Sequence, residues 1–234
     1  EEVSLQKSFG LLNVVCVPHG TTRPPHQSGE RDVLDQQIPE IRGRPFILFI
    51  GRIHTKKRPH LMVNAAARLR NEFPELMIVL AGHDDGGLSA VREAIERNGM
   101  HDAVVAPGFL AGEVKQAVLS AAQVFVLPSR DENFGVAVVE AMAHGTPILV
   151  TPGVASHEYV DASGCGLTVD GTPEALADGL RSLLRQDRDE LGQRGRRYVE
   201  EHLTWPAVVA QLDEVYRSAI EQQQQACSQP LPIS

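Results

Sequence analysis

Short apolar runs recur along the chain at Phe46 to Ile50, Leu76 to Ala81, Val104 to Ala106, Val124 to Leu127, Pro147 to Val150 and Gly166 to Val169, and each predicts a strand. Between them the apolar positions change to helical spacing. Leu61, Ala65 and Leu69 share one face of a predicted helix over about Pro59 to Arg70. Comparable patterns predict helices over Leu88 to Asn98, Glu113 to Ala121, Gly135 to Ala143 and Thr172 to Leu184. Strand and helix in strict alternation mean crossover units, hence a parallel sheet covered by helices on both faces. With right-handed crossovers this is an α/β, doubly wound, Rossmann-like domain. After the last strand three helical stretches follow in succession. The final one, about Pro206 to Gln222, opens at Thr204 with Pro206 just inside its start.

The ends read differently. Residues 1–44 carry one short apolar run, Leu11 to Val17, and then Pro18, Gly20, Pro24, Pro25 and Gly29. That density of breakers predicts a linker or loop-rich leading segment with at most one strand. The organised domain spans 45–221, and residues 222–234, with a glutamine run and two prolines, predict a disordered tail.

Composition narrows the class of protein. With 234 residues, 42% hydrophobic and 22% charged, the chain is an ordinary globular one and excludes a disordered, collagen-like or disulfide-scaffold protein. Lys and Arg number 22 against 30 Asp and Glu, a formal net charge of -8 without long blocks of either sign. Nucleic acid is therefore not an expected partner, and any anion site must be local. The apolar runs fall far short of the roughly 20 residues that cross a bilayer. Cys16, Cys165 and Cys227 are scattered, and with no signal peptide pattern the expected location is the cytoplasm.

In a parallel sheet ligands lie beyond the carboxyl ends of the strands, so four loops compete. The first runs from Gly51 to Arg58 and enters a helix. Gly51 permits a tight turn, Arg52 can fork onto phosphate oxygens, and Lys57 can place a point charge beside the same anion, which suits a diphosphate. The same string also fits a solvated basic turn. His54 and His60 read as surface or packing residues rather than metal ligands. The second loop, Pro128 to Gly135, enters a helix carrying Glu140. Free N–H groups around Phe134, Gly135 and Val136 at the positive end of that helix suit sugar hydroxyls or phosphate oxygens. Glu132 can accept hydrogen bonds from a sugar and Glu140 from two vicinal ribose hydroxyls. A simple salt bridge is the other explanation for a carboxylate on so apolar a helix.

The third loop, Gly82 to Gly87, contains His83, Asp84 and Asp85, which invite a metal but more often serve turn chemistry. The fourth, Pro107 to Gly112, can hold a nucleobase by backbone contacts and apolar packing, or is a plain strand-to-helix turn. No G-x-G-x-x-G follows a strand and no G-x-x-x-x-G-K-S/T is present, which disfavours a nicotinamide or flavin dinucleotide and a P-loop. Asp187-Arg188-Asp189, the only D-x-D string, reads as a solvated helix face.

Taken together, Phe46 to Arg58, Gly108 to Gly112 and Pro128 to Pro147 resemble the donor-binding half of a GT-B glycosyltransferase of the group 1 or family 4 kind. The resemblance runs from about Val14 to Tyr216. Its densest part is Pro-Ser-x-x-Glu-Asn-Phe-Gly-x4-Glu-Ala-Met-Ala-x-Gly-x-Pro at residues 128–147. Val17-Pro18-His19-Gly20 resembles the family's Ile-Pro-Asn-Gly in the linker between its two domains, with His19 for Asn. Arg58 is a second departure, because glycine commonly follows the lysine matched by Lys57.

The resemblance implies roles residue by residue. Arg52 and Lys57 match the pair that binds the donor diphosphate. Glu132 matches the first glutamate of the E-x7-E motif, close to the transferred sugar, and Glu140 the second, on the ribose. Phe134, Gly135 and Val136 match backbone donors to sugar and phosphate, with Gly51 and Asn133 in the same donor-binding strings. Phe109 and Leu110 match the neighbourhood of the base. Similar enzymes retain anomeric configuration and need no metal or other cofactor, the substrate being a nucleotide sugar such as a UDP- or GDP-hexose. The implied partners are that donor, an acceptor that is a glycan, lipid or small molecule, and an N-terminal acceptor domain through which the enzyme can sit peripherally at a membrane. On this reading the chain is half of a bilobal enzyme and transfers sugar poorly alone. A glycosidase using Glu132 and Glu140 leaves the Arg/Lys pair without a role. A non-catalytic sugar-nucleotide-binding or interaction module is the remaining alternative.

Overall fold

In the computed structural model, which describes residues 15–22 and 30–228, the six expected strands form one parallel sheet. They are Phe46–Ile50 (β1), Met77–Ala81 (β2), Val104–Gly108 (β3), Val124–Leu127 (β4), Ile148–Val150 (β5) and Gly166–Thr168 (β6), in the order β3-β2-β1-β4-β5-β6. Phe46 pairs with Met77 on one side of β1 and Ile47 with Val124 on the other. β2, β4 and β5 are buried along their whole length and β1 up to Ile50, as strands covered on both faces must be, which is why their sequences are unbroken apolar runs. The two edge strands are only partly covered.

The helices follow the alternation: Pro59–Ala67 (α2), Leu88–Asn98 (α3), Gly112–Ala121 (α4), Val136–His144 (α5), Pro173–Leu184 (α7) and Arg188–Tyr198 (α8), which continues as a wider turn over Val199–Leu203. Thr172 caps α7 by accepting from the Ala175 N–H at 3.2 Å, with Pro173 in the first turn. Asp187 caps α8 by accepting from the N–H groups of Asp189 and Glu190. The D-x-D string is therefore a helix start rather than a solvated face. Its Arg188 reaches inward to the Ala122 carbonyl at 3.0 Å, and burial lowers the pKa of that guanidinium.

Three differences from the expected outline have physical causes. The leading segment was expected to hold at most one strand, yet Glu30–Gln37 forms a helix (α1) followed by a tight turn over Pro39–Ile41. Leu34, Ile38 and Ile41 from this stretch are fully buried in the core. Those three positions follow a 3–4 spacing, but the polar residues between them and the prolines before them hide it. A second unexpected helix, His157–Ser163 (α6), buries only Val160 and so carries almost no periodic signal. The last helix, Trp205–Ser228 (α9), runs through the region expected to be a disordered tail, and residues 229–234 lie outside the described ones. Of the leading apolar run, residues 11–14 also lie outside them, and residues 15–17 are irregular.

The leading segment lies against the start of α9. The Thr21 N–H donates to the Leu203 carbonyl at 2.8 Å and the Trp205 N–H to the Thr21 carbonyl at 3.3 Å. Among the described residues no helix is long and apolar enough to cross a membrane.

Candidate functional site

The strand order reverses between β1 and β4, and in open α/β sheets the crevice beyond that point receives the ligand. The loops that border it are those after β1 and β4, residues 51–58 and 128–135. They are tied together. The Arg130 N–H donates to the Lys56 carbonyl at 2.9 Å, the Ser129 hydroxyl to the same oxygen at 3.3 Å, and Arg58 Nε to the Pro128 carbonyl at 2.8 Å. Lys57 Nζ forms an ion pair with Glu132, the two side chains being 18% and 22% exposed. Two charges held this far from water interact more strongly than surface pairs do, and each keeps the other from being stranded.

Arg58 occupies the left-handed region at φ 51°, the one non-glycine residue among those described with positive φ. Its strain is offset by the hydrogen bond that pins it under Pro128, and burial together with Arg130 lowers its guanidinium pKa. Glycine is the easier residue at such a position, which gives the departure at 58 a conformational meaning.

The β4 loop is strapped on its other side. The Glu132 N–H donates to the Gly153 carbonyl at 2.8 Å, the Ala155 N–H to the Glu132 carbonyl at 3.0 Å and the Ser156 N–H to the Phe134 carbonyl at 3.1 Å. Gly135, at φ 83°, turns the chain into α5, and a Cβ there would lie 2.9 Å from Ser156 Oγ and 3.0 Å from Val154. The turn leaves the N–H groups of Phe134, Gly135 and Val136 without a backbone acceptor among the described residues, at the positive end of the helix. The Phe134 ring packs between His19, at 5.9 Å, and Tyr159, at 6.1 Å, so this loop also touches the leading segment.

The β2 loop closes the crevice at one flank. Ile53 donates its N–H to the His83 carbonyl, and its own carbonyl accepts from the N–H groups of Asp85 and Gly87, at 2.9 to 3.0 Å. At Gly82 a Cβ would sit 1.9 Å from the Gly51 carbonyl oxygen, so only glycine lets the two loops approach this closely. Asp84 accepts from the N–H groups of Gly87 and Leu88 at the start of α3, and Asp85 holds Arg52 Nη1 at 2.6 Å. His83-Asp84-Asp85 thus serves the turn and an ion pair. No group of three or more His, Cys, Asp or Glu among the described residues is placed to hold a metal ion.

Glu140 projects from the middle of α5 and meets Lys115 Nζ of α4 at 2.6 Å, the two being 27% and 29% exposed. Both line a cavity of about 260 Å³ together with Gln116, Thr21 and His144. The salt bridge weighed for this carboxylate is thus present, and it sits at the wall of an open space. Leu110 packs against the core, whereas Phe109 is 74% exposed and Asn133 is exposed as well. The structure therefore assembles Gly51, Lys57, Glu132 and the Phe134–Val136 turn around one crevice. Arg52 stands at one flank, and Phe109 is left facing solvent. Asp85 and Lys115 were not singled out as charge partners. Asp85 carried a signal as part of a polar turn after a strand, and Lys115 carried none.

This is a Rossmann-like domain whose cationic and N–H-rich loops converge at its topological switch point. The chain belongs to the glycosyl transferases group 1 family, which it matches over residues 30–198. It is 32% identical over 180 residues to the D-inositol 3-phosphate glycosyltransferase of Corynebacterium urealyticum, a match covering 73% of this chain and 42% of that protein. Among solved structures it is similar to sucrose-phosphate synthase from Thermosynechococcus elongatus, with a TM-score of 0.79 and 26% identity over 94% of this chain and 57% of that one. Anabaena HepE, solved with UDP and glucose, shares the fold with a TM-score of 0.71 and 19% identity, covering 82% of this chain and 53% of that one. The chain spans under half the length of the curated relatives it matches.

Proposed function

We propose that this chain is the donor-binding half of a retaining, metal-independent, cytoplasmic glycosyltransferase that takes a hexose from a nucleoside-diphospho-sugar. The observation that carries this reading is the convergence of Lys57, Glu132 and the open N–H turn at Phe134 to Val136 on the switch-point crevice, with Arg52 beside it. The fold relative HepE, solved in complex with UDP and glucose, supports it.

On this reading the diphosphate lies against the start of α5, with Arg52 and Lys57 as its cations. As the bond from the anomeric carbon to the diphosphate oxygen breaks, negative charge grows on that oxygen. Fixed cations and N–H dipoles stabilise it without having to reorganise. Glu132 lies beside the transferred sugar and is oriented by Lys57. Glu140 accepts from the ribose hydroxyls, and Leu110 with Phe109 borders the base. The acceptor is held by the other half of the enzyme, so this half binds donor but turns over poorly alone. Hydrolysis of a glycoside by the same two carboxylates is disfavoured, because it leaves the cations Arg52 and Lys57 at the crevice without a role.

A thermal-shift titration of the chain with UDP-, GDP- and ADP-sugars tests the reading. A ligand that binds only the folded state raises the melting temperature, by an amount set by the ratio of its concentration to Kd. A rise with one nucleotide family is the expected result. The absence of any rise at millimolar concentration would remove the donor site and leave a non-catalytic interaction module as the better description.

A further inference from the structure

Every cation placed for the diphosphate already has an internal partner. Lys57 is held by Glu132, and Arg52 by Asp85 at 2.6 Å. The two pairs differ. Glu132 has a place beside the sugar on the proposed reading, whereas Asp85 comes from the separate β2 loop and has none. Its position is nonetheless built in. The Asp85 N–H is fixed to the Ile53 carbonyl at 3.0 Å, next to Arg52 itself, and Asp84 locks the following turn onto the start of α3. The carboxylate is thus presented to the guanidinium by backbone geometry. With Arg52 60% and Asp85 40% exposed, the pair is open to water and exchangeable.

We infer that Asp85 is an internal counter-ion that competes with the diphosphate for Arg52. This rests on the assignment of Arg52 to the diphosphate. A phosphate oxygen that takes the same N–H must either displace the carboxylate or lie within a few ångströms of a like charge. Asp85 therefore weakens the hold on both the donor and the nucleoside diphosphate left after transfer, and it eases release of that product. Arg52 remains paired when the site is empty.

The test is calorimetric titration of UDP, GDP, ADP and inorganic pyrophosphate into the wild-type chain and Asp85→Asn. The variant keeps the size and removes the charge. Its Kd for pyrophosphate and for whichever nucleoside diphosphate the wild type binds is expected to fall about two- to fivefold. The gain should shrink in high salt and vanish in an Arg52→Ala background. Structural damage to the loop moves affinity the other way, so the direction is diagnostic. Unchanged or weaker binding in Asp85→Asn overturns the inference, as does a gain that survives intact without Arg52. Wild-type binding with no gain in the variant removes only the role of Asp85. Absence of wild-type binding to every probe removes the diphosphate assignment and the inference with it.

Discussion

The loops after β1 and β4 and the loop after β3 all lie at the carboxyl edge of one sheet, yet they are built in opposite ways. The first two are cross-tied by Arg130 to Lys56, Arg58 to Pro128 and the Lys57–Glu132 pair, and strapped behind by Gly153 and Ser156. The third presents Phe109, 74% exposed, with Leu110 as its anchor to the core. Charge stabilisation requires donors that are in place before the ligand arrives, because any reorganisation subtracts from the effect. Apolar contact with a flat ring needs no such fixation. On the proposed reading the crevice thus has a cross-tied electrostatic side and an exposed apolar side, and substitutions on the two sides should fail differently.

The largest effect is expected at Lys57. On the proposed reading, removing it takes away a charge-assisted donor to the diphosphate and leaves Glu132, only 22% exposed, facing that anion unpaired. Loss of such an interaction is worth about 2–3 kcal/mol, so Lys57→Ala should weaken nucleoside diphosphate binding by about 30- to 150-fold in titration calorimetry. In the complete enzyme the loss of turnover should reach roughly a hundredfold to a thousandfold. Unchanged binding would mean that the fixed side of the crevice is fixed for stability alone. A smaller effect is expected at Gly135, where the scaffold rather than the charge is tested. Alanine there must adopt φ 83° and place its Cβ 2.9 Å from Ser156 Oγ. The cost should be about 1–2 kcal/mol of stability, a fall in melting temperature of roughly 2–8 °C. A variant as stable as the wild type would show that the loop can relax and is less rigid than its bonding implies.

Most of the scaffold was legible because strand periodicity and loop position carry it. The sheet, its parallel sense and the position of the β1 and β4 loops beyond the strand ends follow from apolar runs such as Phe46–Ile50 and Val124–Leu127 alternating with helices. What was not legible depends on pairing across long sequence separations. Asp85 and Lys115 acquire meaning only when Arg52 and Glu140 are brought beside them, and no local pattern announces that. Arg58 was legible only as a departure from a resembling family, and its reason, a left-handed backbone pinned to Pro128, is a property of the folded loops. The helix Glu30–Gln37 was missed because a few buried side chains suffice to dock it, fewer than a periodic signal needs.

Phe109 tests the other side of the comparison and should give the smallest effect. Because the side chain is largely in water, truncating it opens no cavity and breaks no contact of the core. Phe109→Ala should therefore leave the melting temperature within about 1 °C of the wild type, corresponding to a stability change within about 0.5 kcal/mol. If the ring covers the base of a bound nucleotide, burying that apolar surface contributes only on binding, and its loss should weaken affinity by about three- to fivefold, under 1 kcal/mol. The same substitution should leave pyrophosphate binding unchanged, since that ligand has no base. A pyrophosphate affinity that falls together with the nucleotide's would place Phe109 on the electrostatic side of the crevice and erase the division between the two loops.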